Sequence, residues 1–441
     1  MPDDVFQQVV DAARAQGVTE VEAILATETA ALTRFANNAI HQNVAERAAH
    51  LSVRPLIDGR TARASTNRLD AESIRGVVSQ AIAITRLTEP DPELLPLYVG
   101  QASACPRHFE ETAAATPRHR AESVAEAIQV VESLSQTAAG IYSTGETEFT
   151  LFNSRGVRAT HRETMARFSI TAMASDSSGW AKASACDHRA ISPRALAESA
   201  ARKAKQSSAP RELPPGRYTV ILEPAAVLDL VGQMFMDFSA TAVRDGRSFL
   251  NDRIGQKLFG DNVTIHDDVL HPNQSGAPFD GEGVPRRRLA LVDRGQMREI
   301  AYSRQAAAHA SVEPTGHGFS LPNDMGEAPT NIVIQGGAAS LDEMVATADR
   351  AILVTRLWYI REVDPYQKIF TGMTRDGTFL VENGRIAAGV RNFRFNQSLI
   401  EMLSNVEMLS PAVRASGEET FDMVVPAMRA GGFNFTEVTR F

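Results

Sequence analysis

Cysteine is scarce in this chain of 441 residues, since only Cys105 and Cys186 are present. Neither has a second cysteine at the spacing of a CxxC motif, which argues against a disulfide framework and a structural zinc knuckle. Long apolar runs are also missing, and no stretch approaches the ~20 residues that a membrane helix needs. The 45 basic and 53 acidic side chains give a net charge of −8 without any Lys/Arg block. We therefore expect neither a membrane nor a nucleic-acid partner.

The chain also lacks the short motifs of several enzyme classes. It contains no GxxxxGK[ST] or GxGxxG phosphate loop, no GxSxG nucleophile elbow, and no HxH, HExxH or HxxxH spacing. A zinc hydrolase that works alone needs about three protein ligands and one open position, and local spacing supplies none. The N-terminus, MPDDVFQQVV, is acidic and amphipathic, unlike a signal peptide, so we expect a cytoplasmic protein.

Apolar periodicity predicts an α+β protein, with mixed or antiparallel sheets in the N-terminal region and a β-rich C-terminal region. Two hairpins are expected at Asp58-Gly59 and at Glu382-Asn383-Gly384, because glycine permits the positive φ of a tight turn. The clearest linker is the proline-rich stretch SSAPRELPPG at residues 207–216. We predict an N-terminal α+β domain over residues 1–213, with two parts at about 1–90 and 115–206. A C-terminal β-rich domain is predicted over residues 214–441.

The β-rich domain is expected to contain one long helix over residues 224–247. Its apolar residues recur at the spacing of one helix face, and proline suits the first helical position. The residues on that face are Val227, Leu230, Val231, Met234, Phe235 and Phe238. This pattern is typical of a helix that packs its apolar stripe against a protein core.

Two local clusters of potentially reactive side chains have simpler explanations. His266, Asp267, Asp268 and His271 resemble a metal cluster, but turn residues follow them, which favours a solvated loop. Cys186 and His188 lie two residues apart, so a strand would point both to one side. Little nearby would lower the thiol pKa, so ordinary strand positions are favoured there as well.

Several short blocks stand out along the chain. In the C-terminal half they are GRSFL at 246–250, PFDGEGV at 278–284, TGH at 315–317, ILVTRL at 352–357, VENGRI at 381–386, and VPAM with FNF near the end. The N-terminal half has further blocks at residues 58–62, 64–67 and 69–70. In this order the blocks resemble the TldD/PmbA family, in which PmbA is also called TldE, and the resemblance spans nearly the whole chain.

The resemblance implies a specific function. TldD and TldE-like proteins form a heterodimeric zinc metalloprotease that degrades unstructured peptides in a narrow cleft and trims leader peptides such as those of microcins. TldD carries HExxxH on a helix, with a distant cysteine as a further ligand, whereas TldE lacks the motif. Here residues 228–241 contain neither histidine nor glutamate, and no cysteine follows Cys186. The chain therefore resembles the TldE branch, and we expect no metal or other cofactor in it and zinc only in a TldD-like partner.

One block departs from the family pattern. After Arg356 the family has a glycine-rich loop near the cleft, whereas this chain has Trp358-Tyr359-Ile360-Arg361-Glu362. We expect these residues to form a loop that alters or closes the substrate cleft.

Three hypotheses follow from the resemblance. The first is a non-zinc-binding partner of a TldD-like subunit, acting on unstructured or leader peptides. The second is a homodimer that binds a peptide or a small molecule. The third is a metal-free enzyme that uses the family cleft, with His317, Asp280 and Glu282 as the candidate catalytic residues. The alternative for these three residues is that they support turns and strands.

Overall fold

The computed structural model describes residues 2–439, which form helices and three β-sheets, and it confirms the α+β class. Within these residues, no helix is both long and apolar enough to cross a membrane. The α-helices are α1 (Pro2–Arg14), α2 (Ala71–Leu87), α3 (Glu110–Ala113), α4 (Pro117–Glu132), α5 (Pro193–Gln206), α6 (Pro224–Val231), α7 (Ala240–Arg244), α8 (Arg304–Ala310), α9 (Leu341–Ala346) and α10 (Leu399–Ser404).

The first sheet is built from N-terminal strands in the order β3-β2-β1-β5-β6-β7, with β4 paired to β2. All its pairings are antiparallel. Strands from both predicted N-terminal parts thus join one sheet, while the domain limits themselves stay a prediction. The strands are β1 (Val21–Ala36), β2 (Ala39–Ile57), β3 (Arg60–Thr61), β4 (Ala64–Thr66), β5 (Thr137–Asn153), β6 (Arg158–Met173) and β7 (Ser178–Ala185).

The two faces of this sheet have different neighbours because side chains alternate along each strand. On one face, Phe152 of β5 stacks on Phe6 of α1, and Tyr142 packs in the core that α4 and α5 cover. On the other face, Phe149 of β5 lies 6.0 Å from Phe279, between ring centroids. The helices therefore cover one face, and the second half of the chain covers the other.

The second half contains the other two sheets. The second sheet has the order β11-β10-β9-β12-β19-β18, and the third has β13-β8-β20-β16-β14-β15 with β17 paired to β20. The strands are β8 (Gly216–Leu222), β9 (Ile265–Asp267), β10 (Leu289–Asp293), β11 (Gln296–Met297), β12 (Ile332–Ile334), β13 (Arg350–Asp364), β14 (Ile369–Glu382), β15 (Arg385–Gly389), β16 (Phe393–Ser398), β17 (Val406–Leu409), β18 (Val413–Ala415), β19 (Met423–Val425) and β20 (Met428–Val438).

The prediction of one continuous helix over residues 224–247 is wrong. The segment consists of α6, a 3-10 turn over Gly232–Asp237, and α7. Gly232 lies so close to a neighbouring loop that a Cβ there would be 2.5 Å from Oγ1 of Thr420. Ser239 then starts a new helix by accepting a hydrogen bond from the Ala242 N–H. The predicted apolar residues are nevertheless all buried in the largest core.

Both hairpins are present, whereas the loop expected at 358–362 is not. Asp58-Gly59 joins β2 to β3, and Asn383-Gly384 joins β14 to β15, with positive φ at each of these four residues. Residues 358–362 instead lie inside β13, which pairs with β14 through several register shifts. Tyr359 has a φ of 56°, so the irregularity is a bulge within a strand.

Candidate functional site

A cleft lies between the open face of the first sheet and loops of the second half. It contains a cavity of about 660 Å³ and a neighbouring one of about 300 Å³. Ala277, Phe279 and Arg286 line both cavities. From the sheet, the lining residues are Thr147, Phe149, His161, Glu163, Arg167 and Lys182. The volumes fall in the range typical of ligand sites, so this cleft is the candidate functional site.

Ion pairs tie the walls of the larger cavity together. Asp422 lies 3.0 Å from the Arg414 guanidinium and 3.4 Å from that of Arg167. Lys182 lies 3.1 Å from Glu418 and also donates to the Gly417 carbonyl. These contacts join β6 and β7 to the loop that precedes β19, so the width of the cleft depends on them.

Asp280, the first candidate catalytic residue, supports a turn. Its Oδ1 accepts hydrogen bonds from the N–H groups of Glu282 and Val284, and its Oδ2 accepts one from Gly318. Burial raises its pKa to about 6, although the backbone donors act in the opposite direction. The carboxyl borders the smaller cavity, but its acceptor sites are already engaged.

Glu282, the second candidate, is buried between the two halves of the chain. Its Oε2 lies 2.7 Å from the Arg304 guanidinium. Burial raises its pKa, and the charges of Arg304 and Arg54 act against that rise. Glu282 lines neither cavity of the cleft, so the structure places it in a buried ion-pair cluster.

His317, the third candidate, is fully buried beside Asp267. Its Nε2 lies 3.1 Å from Oδ1 of Asp267, and its Nδ1 lies 2.9 Å from Oγ1 of Thr315. Asp267 also accepts hydrogen bonds of 2.7 Å from the N–H groups of Thr330 and Asn331. The pair thus clamps the 315–318 and 330–331 loops onto β9. The catalytic role of His317, Asp280 and Glu282 stays a prediction, and these contacts give each a supporting role.

The expectation of a solvated loop at residues 266–271 is wrong for its first two residues, because His266 and Asp267 lie in β9, on opposite faces, and Asp267 is fully buried. Asp267 points into the protein toward His317, whereas His266 borders a separate cavity of about 770 Å³. Burial lowers the pKa of His266. Within residues 2–439, no group of three or more His, Cys, Asp or Glu side chains could hold a metal ion.

The segment at residues 224–238 holds one feature that the sequence interpretation missed. Asp229 of α6 is buried, and its Oδ1 accepts hydrogen bonds from the N–H groups of Glu418 and Glu419. No group in the described part of the chain donates a hydrogen bond to its buried Oδ2. The sequence signal for this feature was an acidic residue between Leu228 and Leu230 in an otherwise apolar helix. Asp229 fastens α6 to the loop that lines the larger cavity.

This segment does not fit a zinc ion. Zinc takes several histidine, cysteine or carboxylate ligands. Here α6 and the 3-10 turn offer only two carboxylates: Asp229 holds backbone N–H groups, and Asp237 lies 2.6 Å from Lys368. The remaining side chains facing the core are apolar.

Asp229 gives a prediction about pH. Burial raises its pKa from 3.8 to about 6, so the folded protein binds a proton that the unfolded chain has released in this range. Its contribution to stability is therefore complete below the unfolded pKa and is lost as the pH rises through the folded one. Between about pH 5 and pH 8, Asp229 should remove on the order of 1 kcal/mol from the free energy of unfolding.

The Asp229→Asn variant should lack this part of the pH dependence, which urea unfolding at the two pH values would measure. Because the two pH values are compared within each protein, any pH-independent effect of the substitution on the free energy of unfolding cancels. Asp245→Asn is the matched control, because Asp245 is exposed on the surface beside Arg247. A pH dependence equal to that of the wild type in Asp229→Asn would contradict the prediction.

Cys186 and His188 do not form a reactive pair. His188 Nδ1 lies 3.4 Å from Oγ1 of Thr112, and burial raises the pKa of the Cys186 thiol. A raised pKa leaves less thiolate, which is the reactive form. The strand positions expected for both residues are wrong, because β7 ends at Ala185 and His188 lies in a 3-10 turn over His188–Ala190.

Three family models together match most of the chain. Residues 21–85, 107–207 and 215–437 match PmbA/TldA metallopeptidase domain 1, central domain and C-terminal domain, respectively. A Methanocaldococcus jannaschii protein is 29% identical over 215 residues, which are 45% of this chain and 50% of that protein. A metalloprotease TldD homologue of Buchnera aphidicola is 26% identical over 169 residues, or 38% of this chain and 35% of that protein. The matches thus span half or less of these curated relatives.

The fold is shared with a solved structure over nearly its full length. The crystal structure of TldE from Thermococcus kodakarensis superposes with a TM-score of 0.88 and covers 98% of this chain and 100% of that one. The two sequences are 19% identical, so this likeness establishes a common fold.

Proposed function

Because this chain belongs to the PmbA/TldD metallopeptidase family, we propose that it is the non-zinc-binding subunit of a TldD-type metalloprotease complex. Its substrates in the complex are unstructured or leader peptides, and the zinc belongs to a TldD-like partner. The observation that carries this proposal is the α6 segment, which lies beside the cleft and has no suitable set of zinc ligands. The full-length similarity to a TldE fold supports the same assignment.

This chain's own residues would then shape the peptide cleft of the complex and hold its walls in position. The peptide cleft is bounded by the first sheet and by loops that the Asp267–His317 pair and Asp229 hold in place. Zinc lowers the pKa of a bound water only where side chains hold the metal, and the side chains of Met234 and Phe235 cannot hold it. The proton transfers of peptide hydrolysis therefore belong to the partner.

The alternative of a metal-free enzyme receives no specific support. Its three candidate residues are buried and already hold hydrogen bonds or ion pairs. The experiment below also tests the homodimer hypothesis.

The test is to purify this chain, a TldD-like protein from the same organism, and their mixture. We expect the mixture to hydrolyse a fluorogenic unstructured peptide, and this chain alone to be inactive, because its cleft lacks a metal-activated nucleophile. Chelation with 1,10-phenanthroline should abolish the activity. Elemental analysis should find as much zinc per complex as per purified partner, and no stoichiometric zinc in this chain alone.

The control is a partner whose HExxxH glutamate is replaced by glutamine, which should form the complex without activity. Peptidase activity in this chain alone that persists under the chelator would overturn the proposal. A symmetric homodimer that ignores the TldD-like protein would instead support the second hypothesis.

A further inference from the structure

Arg286 stands out among the charged residues of the cleft because no carboxylate within residues 2–439 pairs with it. It lines both cavities at the place where they meet. The other basic residues of the larger cavity, Arg167 and Lys182, each pair with an acidic group. Among the described residues, no carboxylate forms a salt bridge with Arg286. The positive charge of this guanidinium, at the junction of the two cavities, is thus available to a ligand.

The hydrogen bonds of Arg286 to the described residues leave its second terminal nitrogen, Nη2, without a partner. One terminal nitrogen, Nη1, donates to Oγ1 of Thr330 at 2.8 Å and to Oδ1 of Asn331 at 3.0 Å. Among the described residues, the Nε atom has no partner, and it is buried, so a ligand in the cleft does not reach it. The second terminal nitrogen, Nη2, is the donor that remains for a charge-assisted hydrogen bond to a carboxylate. The anchored Nη1 fixes the orientation of the guanidinium before any ligand arrives.

The nearest buried carboxylate does not use this edge. Asp267 lies near enough for the Arg286 charge to help hold its pKa below the usual range, although burial alone would raise it. Its oxygens already face His317 and the N–H groups of Thr330 and Asn331. Asp267 therefore orders the loop that anchors Arg286 without pairing with it.

Apolar surface lies beside this basic group. Phe279 and Ala277 line both cavities, and Phe149 of β5 adds a second ring in the smaller one. A site that combines apolar surface with one oriented charged group fits a peptide with an apolar side chain next to a carboxylate. A phosphate would be better served by several converging cations, and here Arg167 and Lys182 are engaged elsewhere.

We propose that Arg286 is a carboxylate-binding residue of the cleft, which selects peptides through a C-terminal carboxylate or an Asp or Glu side chain. This inference rests on the proposed function, because that function supplies the peptide ligand. It adds the substrate class: extended peptides that carry a carboxylate where the two cavities meet. Both sources present the same group, and the experiment separates them.

The test measures fluorescence anisotropy of three labelled, unstructured hexapeptides of Ala, Ser and Leu with the purified full chain. One ends in a free carboxylate, one ends in an amide, and one ends in an amide but contains an internal Glu. We expect at least one carboxylate peptide to bind about 10- to 100-fold more tightly than the plain amide, as is typical of hydrogen bonds to charged groups. The peptide that gains affinity identifies the source.

The variants assign this preference to one residue. Arg286→Gln should remove the preference and leave plain-amide binding within about twofold, because the apolar contacts remain. Arg286→Lys keeps the charge but lacks the planar, anchored guanidinium, so it should retain only part of the preference. Arg287→Gln is the matched control: Arg287 is exposed, pairs with Glu299 at 2.8 Å, and should change nothing. Thermal unfolding checks that each variant is folded.

Equal binding of all three peptides to the wild type would overturn the inference, and this result needs no variant. No binding of any peptide, or a preference that persists in Arg286→Gln, would overturn it as well. These failures differ from a failure of the proposed function. An active complex with no carboxylate preference removes only the Arg286 assignment, and a carboxylate preference without partner activation removes only the subunit assignment.

Discussion

Replacing Glu22 with glutamine should lower the free energy of unfolding by about 3–5 kcal/mol, because the change breaks a buried ion pair and leaves its partner uncompensated. Glu22 of β1 and Arg54 of β2 are each only 1% exposed, and their side chains form two hydrogen bonds of 3.0 and 2.8 Å. Arg63 adds a third contact to Glu22 at 2.6 Å and also donates to the Leu321 carbonyl. Urea unfolding at neutral pH would measure the loss.

The matched control is Glu20→Gln. Glu20 pairs with Arg155 at 2.6 Å, but the two side chains are 34% and 44% exposed, so its loss should cost less than about 1 kcal/mol. Equal losses in the two variants would contradict the argument from burial. A double variant, Glu22→Leu with Arg54→Met, should be less destabilised than Glu22→Gln, because it leaves no unpaired charge at position 54.

The cost of Glu22→Gln should also depend on pH. Burial alone would raise the pKa of Glu22, but Arg54 and Arg63 together hold it below the usual value of 4.5. A lowered folded pKa means that the stabilisation is complete above the unfolded pKa and is lost as the pH falls through the folded one. The difference between wild type and variant should therefore shrink below about pH 4.5.

Replacing Asp267 with alanine should cost about 2–4 kcal/mol, because the N–H groups of Thr330 and Asn331 and the His317 ring would lose their buried acceptor. Asp267 and His317 have no exposed side-chain surface. The substitution should also weaken carboxylate binding, since Thr330 and Asn331 hold the Arg286 guanidinium. Urea unfolding and the peptide anisotropy measurement would test the two effects.

Asp268→Ala is the control for this prediction. Asp268 is the next residue, but its carboxylate is partly exposed and lies 3.5 Å from an exposed Arg288. Its loss should cost below about 1 kcal/mol. If Asp268→Ala were as destabilising as Asp267→Ala, the clamp around His317 would not be the cause.

The elements that follow from local chemistry were predictable. The α+β class and the hairpins at Asp58-Gly59 and Asn383-Gly384 depend on side-chain periodicity and on turns with positive φ, which short segments determine. The prediction of a continuous helix over residues 224–247 was wrong because a neighbouring loop packs tightly against Gly232 and because Ser239 caps a new helix. The loop at 358–362 was wrong because pairing with β14 holds these residues in a strand.

The candidate site was harder to predict than the fold. Asp280, Glu282 and His317 were singled out from their motifs, and the structure gives them partners that no spacing indicates. Arg286 carried no signal, because an arginine between Pro285 and Arg287 looks like part of a surface charge run. Its orientation depends on Thr330 and Asn331, which lie more than forty residues away.

The sequence by itself determined the class of the protein, its family resemblance, and the absence of an HExxxH motif from residues 224–247, because residue types and short periodicities suffice for each. Only the tertiary structure decided which charges are paired. Asp267 and Asp268 are neighbours of the same type, yet one is fully buried against His317 and the other is partly exposed. The cost and the use of a charged group depend on its burial and on distant partners, and folding alone brings those together.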